Sequence, residues 1–447
     1  MKKLFSFAVI FAVFAIGITA CQWPATGLQQ DKLLVKNVNL INGKDSVVNR
    51  GVDVLIANGR IVEIGKRLSV TDAHIVKGDG KYMMPALINT YAIAGLNPET
   101  EYVEELNRFH LLEQLKRFQD FGVLNVNAMA AGHSKFPGNT FLDSLKRGYL
   151  NGARLLVTGS VFSPLIAGKT PTTGMSAEGV NPQREIHRNL EQMKSMQVSF
   201  IRLETAAAID ARQRVIEEAH KLNLRTVAPV FYLKDALRLA QSGTFMLANS
   251  IRDQVVDEQL LEEMNRKGIV YVPTLISNAI PSRPLAIAES RNQLFHQTAS
   301  GSSDPGRYAA TSVIMPFSGS AVFNPRHFKT AMINVKKMHD AGVMIGLGTN
   351  AAGLGIEKTG SGEHREMQLL VEAGLEPWQA IRIGTWNSAR ILRIDKDYGT
   401  LKAGKVADFI LLSKDPFTDI RNTQSIEAIF KAGKKVSNGP MDKSIAI

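Results

Sequence analysis

A chain of 447 residues is long for one simple domain and suits one large α/β barrel with an accessory domain. Its 45% hydrophobic and 21% charged content is ordinary for a well-cored globular protein and argues against extensive disorder. The formal net charge of +12 (53 Lys and Arg less 41 Asp and Glu) is spread thinly, with no run beyond pairs such as Lys336-Lys337 and Lys434-Lys435 and no aromatic–basic interleaving, so no nucleic-acid partner is expected.

The chain begins with a short positive stretch, Met1-Lys2-Lys3, followed by an apolar run over 4–18 and then Ile18-Thr19-Ala20-Cys21. That order predicts a secretory signal over residues 1–20. The alternative is a transmembrane anchor, for which the 17 residues from Leu4 to Ala20 sit at the short end of the spanning range. The ending resembles the lipobox of bacterial lipoproteins, which implies lipidation of Cys21 and attachment to a membrane through that lipid. Cys21 is the only cysteine, so no intrachain disulfide can form, and acylation would remove a lone thiol from an oxidising compartment. Gln22 follows in place of an acidic residue; by resemblance to enterobacterial lipoproteins this implies outer-membrane anchoring facing the periplasm, with residues 21–30 as a tether.

Residues 33–81 read as strands. Val52-Asp53-Val54-Leu55-Ile56 and Ile61-Val62-Glu63-Ile64 flank Asn58-Gly59, the strongest short hairpin signal. From Met84 onward short apolar runs alternate with helical patterns. Eight candidate strands fall at 85–92, 123–129, 154–159, 198–203, 225–230, 244–248, 269–275 and 343–348, with amphipathic helices between them at 101–121, 212–222 and 327–341. Eight strand–helix units over about 300 residues predict an α/β fold of the (β/α)8 TIM type. The stretch 277–325, rich in Gly, Ser and Pro, is too long for a plain connection and reads as an insertion or lid. After Leu392 strand patterns return at 407–412 and 426–430.

Several segments resemble the amidohydrolase superfamily, in particular its imidazolonepropionase- and prolidase-like branch. These are Val54 through Gly65, with its Asn58-Gly59 turn; Gly80-Lys81-Tyr82-Met83-Met84-Pro85-Ala86-Leu87-Ile88-Asn89; Gly346-Leu347-Gly348-Thr349-Asn350-Ala351; Glu372 through Ala389; and Gly399 through Phe409, with Asp415-Pro416-Phe417 beyond. The resemblance implies a β-sandwich built from both termini, residues 31–83 plus 396–440, around a barrel over 84–395.

It also implies hydrolysis of amide- or ester-like bonds by one or two divalent ions, Zn²⁺ among them, which lower the pKa of a bound water and polarise the scissile carbonyl. Such ions would be held by a His-x-His pair after strand one, a lysine after strand four, single histidines after strands five and six and an aspartate after strand eight. Those positions here fall on Tyr91 and Ile93, Arg202, Val230, Asn249 and Asn350. None is a usual ligand: Ile and Val have no donor atom, Arg stays protonated, and amides or a phenol are poor ligands beside imidazole and carboxylate. An amide at 350 also removes the general base. No metal or other cofactor is therefore expected. The histidines at 187, 220, 296, 327, 339 and 364 lie in helical or loop stretches and rebuild no site; His133, after strand two, is the one placed near the barrel mouth.

The expected function is that of an exported, lipid-anchored amidohydrolase-family protein that has become a metal-free pseudoenzyme. Tyr91, Arg202, Asn249, Asn350 and His133 are its candidate residues for binding a small carboxylate or carbonyl ligand; the alternative is that they only fill the vacated cavity. Self-association, or association with a catalytically intact paralogue, is a further partner expectation. The competing class is an active hydrolase of C–N bonds using non-standard groups, such as Tyr91 or His133 as acid or base.

Overall fold

The computed structural model describes residues 32–94, 108–129, 143–145, 147, 149–160, 182–203, 207–279, 324–350 and 359–440. The leader, Cys21, His133, His296 and most of the 277–325 stretch lie outside them. Along the chain run β1 (Lys32–Ile41), β2 (Val48–Ala57), β3 (Arg60–Gly65), β4 (Ala73–Lys77) and β5 (Tyr82–Pro85). Strands and helices then alternate: β6 (Leu87–Ile93), α1 (Arg108–Asp120), β7 (Val123–Met129), β8 (Arg154–Ser160), α2 (Pro182–Ser195), β9 (Phe200–Arg202), α3 (Ile209–Lys221), β10 (Thr226–Pro229), α4 (Leu233–Gln241), β11 (Met246–Ala248), α5 (Glu258–Lys267) and β12 (Val270–Val272). Next come α6 (Ile276–Ala279), α7 (Pro325–Asp340), α8 (Ser361–Glu372), α9 (Pro377–Arg382) and α10 (Ser388–Leu392), and finally β13 (Phe409–Leu412), β14 (Ile426–Lys431) and β15 (Lys434–Ser437). Among the described residues no helix is long and apolar enough to cross a membrane.

The first sheet joins the two ends of the chain, in the order β15-β14-β13-β5-β1-β2-β3 with β4 on β1. Asn58 and Gly59 turn β2 into β3 with positive φ at both positions, 51° and 75°, the geometry that a two-residue hairpin demands. Antiparallel pairing of Phe409 with Pro85 brings the C-terminal strands in, and Phe409 stacks on Phe430 at 4.4 Å between centroids. Arg154 and Asp408, both buried, form an ion pair that ties this sheet to the barrel.

The second sheet is parallel, β6 to β12 in sequence order. Its eighth member is the extended segment 343–348. Tyr271 bridges Ile345 in parallel, Gly346 N–H donates to Tyr271 O at 2.9 Å, and Thr90 N–H donates to Leu347 O at 2.7 Å, so the sheet closes on itself. The eight staves coincide closely with the runs read from sequence. Alternation sorts their side chains: Ile88, Phe200, Val227, Met246, Ala248, Val270 and Val272 pack inside, whereas Leu124, Ile201, Ala228 and Leu247 face the helix layer. The architecture is a (β/α)8 barrel with a β-sandwich built from both ends of the chain.

Of the long amphipathic stretches, α7 keeps its predicted place, starting at Pro325 with Asn324 accepting from the N–H groups of Arg326 and His327. His364 is not a surface residue. It is fully buried, with Nδ1 on Thr423 Oγ1 at 2.9 Å and Nε2 on Phe121 O at 2.8 Å, and burial pushes its pKa down to about 4.

Candidate functional site

The C-terminal ends of the barrel strands gather most of the residues singled out from sequence. Tyr91, near the end of β6, is 1% exposed and packs with the barrel-interior residues Val272 and Ala248. Its carbonyl accepts from the N–H groups of Thr349 and Asn350, at 3.1 and 3.0 Å, which locks the first stave to the last. Arg202, the last residue of β9, points its Nε at Tyr91 Oη across 3.5 Å. Tyr91 therefore links Arg202 to Asn350. Gly348 is the counterpart of the tyrosine: a Cβ there would stand 2.8 Å from Tyr91 Cβ and 2.4 Å from Val272 Cγ1.

Asn350 is 3% exposed and left-handed, with φ 51°, and its Oδ1 has no hydrogen-bond partner. Asn249, one residue beyond β11, is also buried and left-handed; its Oδ1 accepts from Thr274 Oγ1 at 3.4 Å. Val230 does not join them. Its side chain packs in the layer between strands and helices, while Val227 of the same stave faces inward, so the period of two puts Val230 on the outer face. The side chain of Ile93 and all of His133 lie outside the described residues.

Two buried carboxyls stand behind this rim, and the sequence reading passed over both. Glu363 Oε1 accepts from Asn89 Nδ2 and Thr349 Oγ1, each at 2.7 Å, and Oε2 accepts from Gly360 N at 2.8 Å. Glu366 accepts from the N–H groups of Leu275 and Ile276, both at 2.7 Å. Burial raises both groups, Glu366 to about 8, against the pull of these donors. Their spacing carried the signal: Glu363, Glu366, Met367 and Leu370 share one helical stripe, where carboxylates would not ordinarily be placed.

Whether a divalent ion fits is a question of donors. A phenol and a carboxamide stand where imidazoles would be needed, a guanidinium where a lysine would be and a carboxamide where a carboxylate would be, and both oxygens of Glu363 and Glu366 are already engaged. Among the described residues no three His, Cys, Asp or Glu side chains come together as a metal site. The described residues at the mouth do not fit the ion.

The profile described as Amidohydrolase family matches residues 310–436. A 5-methylthioadenosine/S-adenosylhomocysteine deaminase from Caldanaerobacter subterraneus subsp. tengcongensis is 23% identical over 408 residues, covering 85% of this chain and 84% of that protein. Among solved structures, a Xaa-Pro dipeptidase with bound methionine superposes with a TM-score of 0.68 at 18% identity, over 91% of this chain and 99% of its own. Molinate hydrolase does so with a TM-score of 0.66 at 18% identity, over 91% and 94%. The profile match covers the C-terminal part of the chain, and the barrel with its sandwich is the fold that these solved structures share.

Proposed function

We propose that this protein is a metal-free pseudoenzyme of the amidohydrolase superfamily whose barrel mouth binds a small carboxylate or carbonyl compound, its acceptor oxygens meeting Arg202 and Tyr91 and an N–H or O–H of the same compound meeting Asn350 Oδ1. The observation that carries the reading is Asn350. Tyr91 packs the interior as a filling residue would, but a buried acceptor without a partner costs about 1–3 kcal/mol, and a position that only filled space would be better served by an apolar side chain. An incoming N–H or O–H would satisfy it. Hydrolysis is not proposed, because no described group at the mouth can act as general base and the donor set does not hold an ion.

The protein is further proposed to be exported and anchored at the outer membrane through a lipid on Cys21, facing the periplasm, and to assemble with itself or with a catalytically intact paralogue. Radiolabelled palmitate incorporation that is lost in Cys21→Ser tests the anchor.

The deciding experiment combines metal analysis of the purified chain after Zn²⁺ addition, calorimetric titration with acetate, glycine and N-acetylglycine, and an activity screen on acyl-amino acids, dipeptides and lactones. Binding of one probe without turnover or stoichiometric metal is the expected result. Tight stoichiometric Zn²⁺, or turnover abolished by Asn350→Ala, returns the chain to the active hydrolases of C–N bonds.

A further inference from the structure

The mouth stands on strained backbone. Asn249, Thr274 and Asn350 follow three successive staves, and all have positive φ, at 67°, 45° and 51°. Asparagine tolerates that region, but a β-branched threonine keeps it only where its surroundings over-determine it.

Two carboxyls on α8 supply that constraint. Glu363 holds the hydroxyl of Thr349, the residue before Asn350, and the amide of Asn89, whose Oδ1 in turn accepts from Tyr91 N at 2.8 Å. One turn further on, Glu366 holds the N–H groups of Leu275 and Ile276. Leu275 directly follows Thr274, and the Thr274 hydroxyl reaches Asn249. Every strained position is thus one or two bonds from a buried carboxyl. The clamp ties the first, sixth, seventh and eighth staves to a single helix.

We infer that Glu363 and Glu366 are positioning residues, a two-carboxyl clamp that holds the strand ends of the mouth in their strained geometry and couples that geometry to pH. The functional weight of the inference rests on the reading that the mouth binds a ligand; the clamp itself can be tested on the ligand-free chain.

The groups facing the clamp are few. Besides burial, the charge of Glu363 raises Glu366, while its two N–H donors and Arg365 lower it. Tyr271 of β12 lies close enough for Glu366 to help push its phenol upward. The four residues of α6 carry no titratable side chain. His364, on the same helix, is turned to Thr423 and Phe121, and Arg117 of α1 reaches Thr359 O at 3.1 Å. On the α7 side, Lys336 lies beside Gly374, past the end of α8, and pairs with Asp340.

The test is amide exchange read by mass spectrometry on the full chain without ligand, from pH 6 to pH 10, after correction for the intrinsic pH dependence of exchange. The wild-type peptide spanning 273–279 is expected to change protection around pH 8. Glu366→Leu should speed its exchange by about tenfold or more, with peptides from β1 and β2 unchanged. Glu366→Gln keeps an acceptor oxygen for one of the two N–H groups, so it should restore part of the protection while abolishing the inflection. Unaltered exchange in Glu366→Leu, or an inflection that survives in Glu366→Gln, overturns the clamp. Should Glu366→Leu fail to fold, the glutamine variant decides alone. N-acetylglycine titrated into the same wild-type sample separates the two ideas, since failure to bind counts against the ligand reading and leaves the exchange result standing.

Discussion

Asn350→Asp is the sharpest test of how the mouth is built, because it exchanges one NH₂ for one oxygen and leaves shape and backbone preference almost untouched. Asn350 is 3% exposed and its Oδ1 lacks a partner. A carboxyl placed there is desolvated, and Arg202 at the same mouth is directed at Tyr91 Oη. Fully buried carboxyls of this kind shift upward by about 3–5 units. Three units at ~1.36 kcal/mol each give about 4 kcal/mol. The sign follows from the raised folded pKa: the variant matches wild type below about pH 4, where both states are protonated, and loses stability progressively as pH rises from about 4 to about 7. Urea unfolding at half-unit steps from pH 4.5 to pH 8.5 reads this directly. Equal stability at pH 8 would refute the reasoning, since it requires a cation or donor at Oδ1. Stoichiometric Zn²⁺ binding by the aspartate variant would refute it in another way, by making a single carboxylate sufficient to rebuild a metal site.

Three further outcomes are expected. His364 is buried and neutral, with its pKa held near 4 against an ordinary 6.5; its contribution is intact above pH 6.5 and lost as pH falls towards 4, by about 3 kcal/mol, so His364→Asn should flatten the acid limb of a stability–pH curve. Arg154→Met strands the Asp408 carboxylate in the barrel–sandwich seam, where Ala432 N–H still donates to it, and should cost about 3–5 kcal/mol in chemical denaturation. Gly348→Ala drives a methyl to 2.4 Å from Val272 and 2.8 Å from Tyr91, and should lower the thermal midpoint by an amount equivalent to about 1–3 kcal/mol; Tyr91→Phe, which removes no volume at that contact, should not relieve it.

The outline of the fold was legible because it rests on local signals. Asn58-Gly59 can hardly do other than turn a hairpin, and short β-rich runs alternating with amphipathic helices leave few architectures open. The candidate site was legible only where it sits inside a motif, as Tyr91 and Asn350 do. Val230 illustrates the limit: near a strand end a one-residue slip turns a side chain from the mouth to the helix layer, and no local pattern fixes the register. Glu363, His364 and Glu366 escaped for a different reason. Consecutive polar residues on a helix are ordinarily solvated, and only packing against β6, the 274–276 segment and the 420–424 turn makes them interior.

The same packing says why the mouth would not revert by one substitution. Tyr91 and Gly348 form a complementary pair, with Cβ and the carbonyl oxygen of Tyr91 lying where the last stave has no side chain. A histidine at 91 would be smaller and would leave part of that volume empty, at about 24 cal/mol per Å³ of residual cavity. It would also stand opposite Arg202, whose positive charge opposes a divalent ion in the same space. Recovering an ion site therefore requires position 202 to lose its charge, 350 to gain one and at least two imidazoles to appear together. Of these steps, the carboxylate at 350 is destabilising until the ion is held, because without metal it is the unpaired charge described above. On the proposed reading, the orphan amide of Asn350 is the natural place to look for a bound ligand.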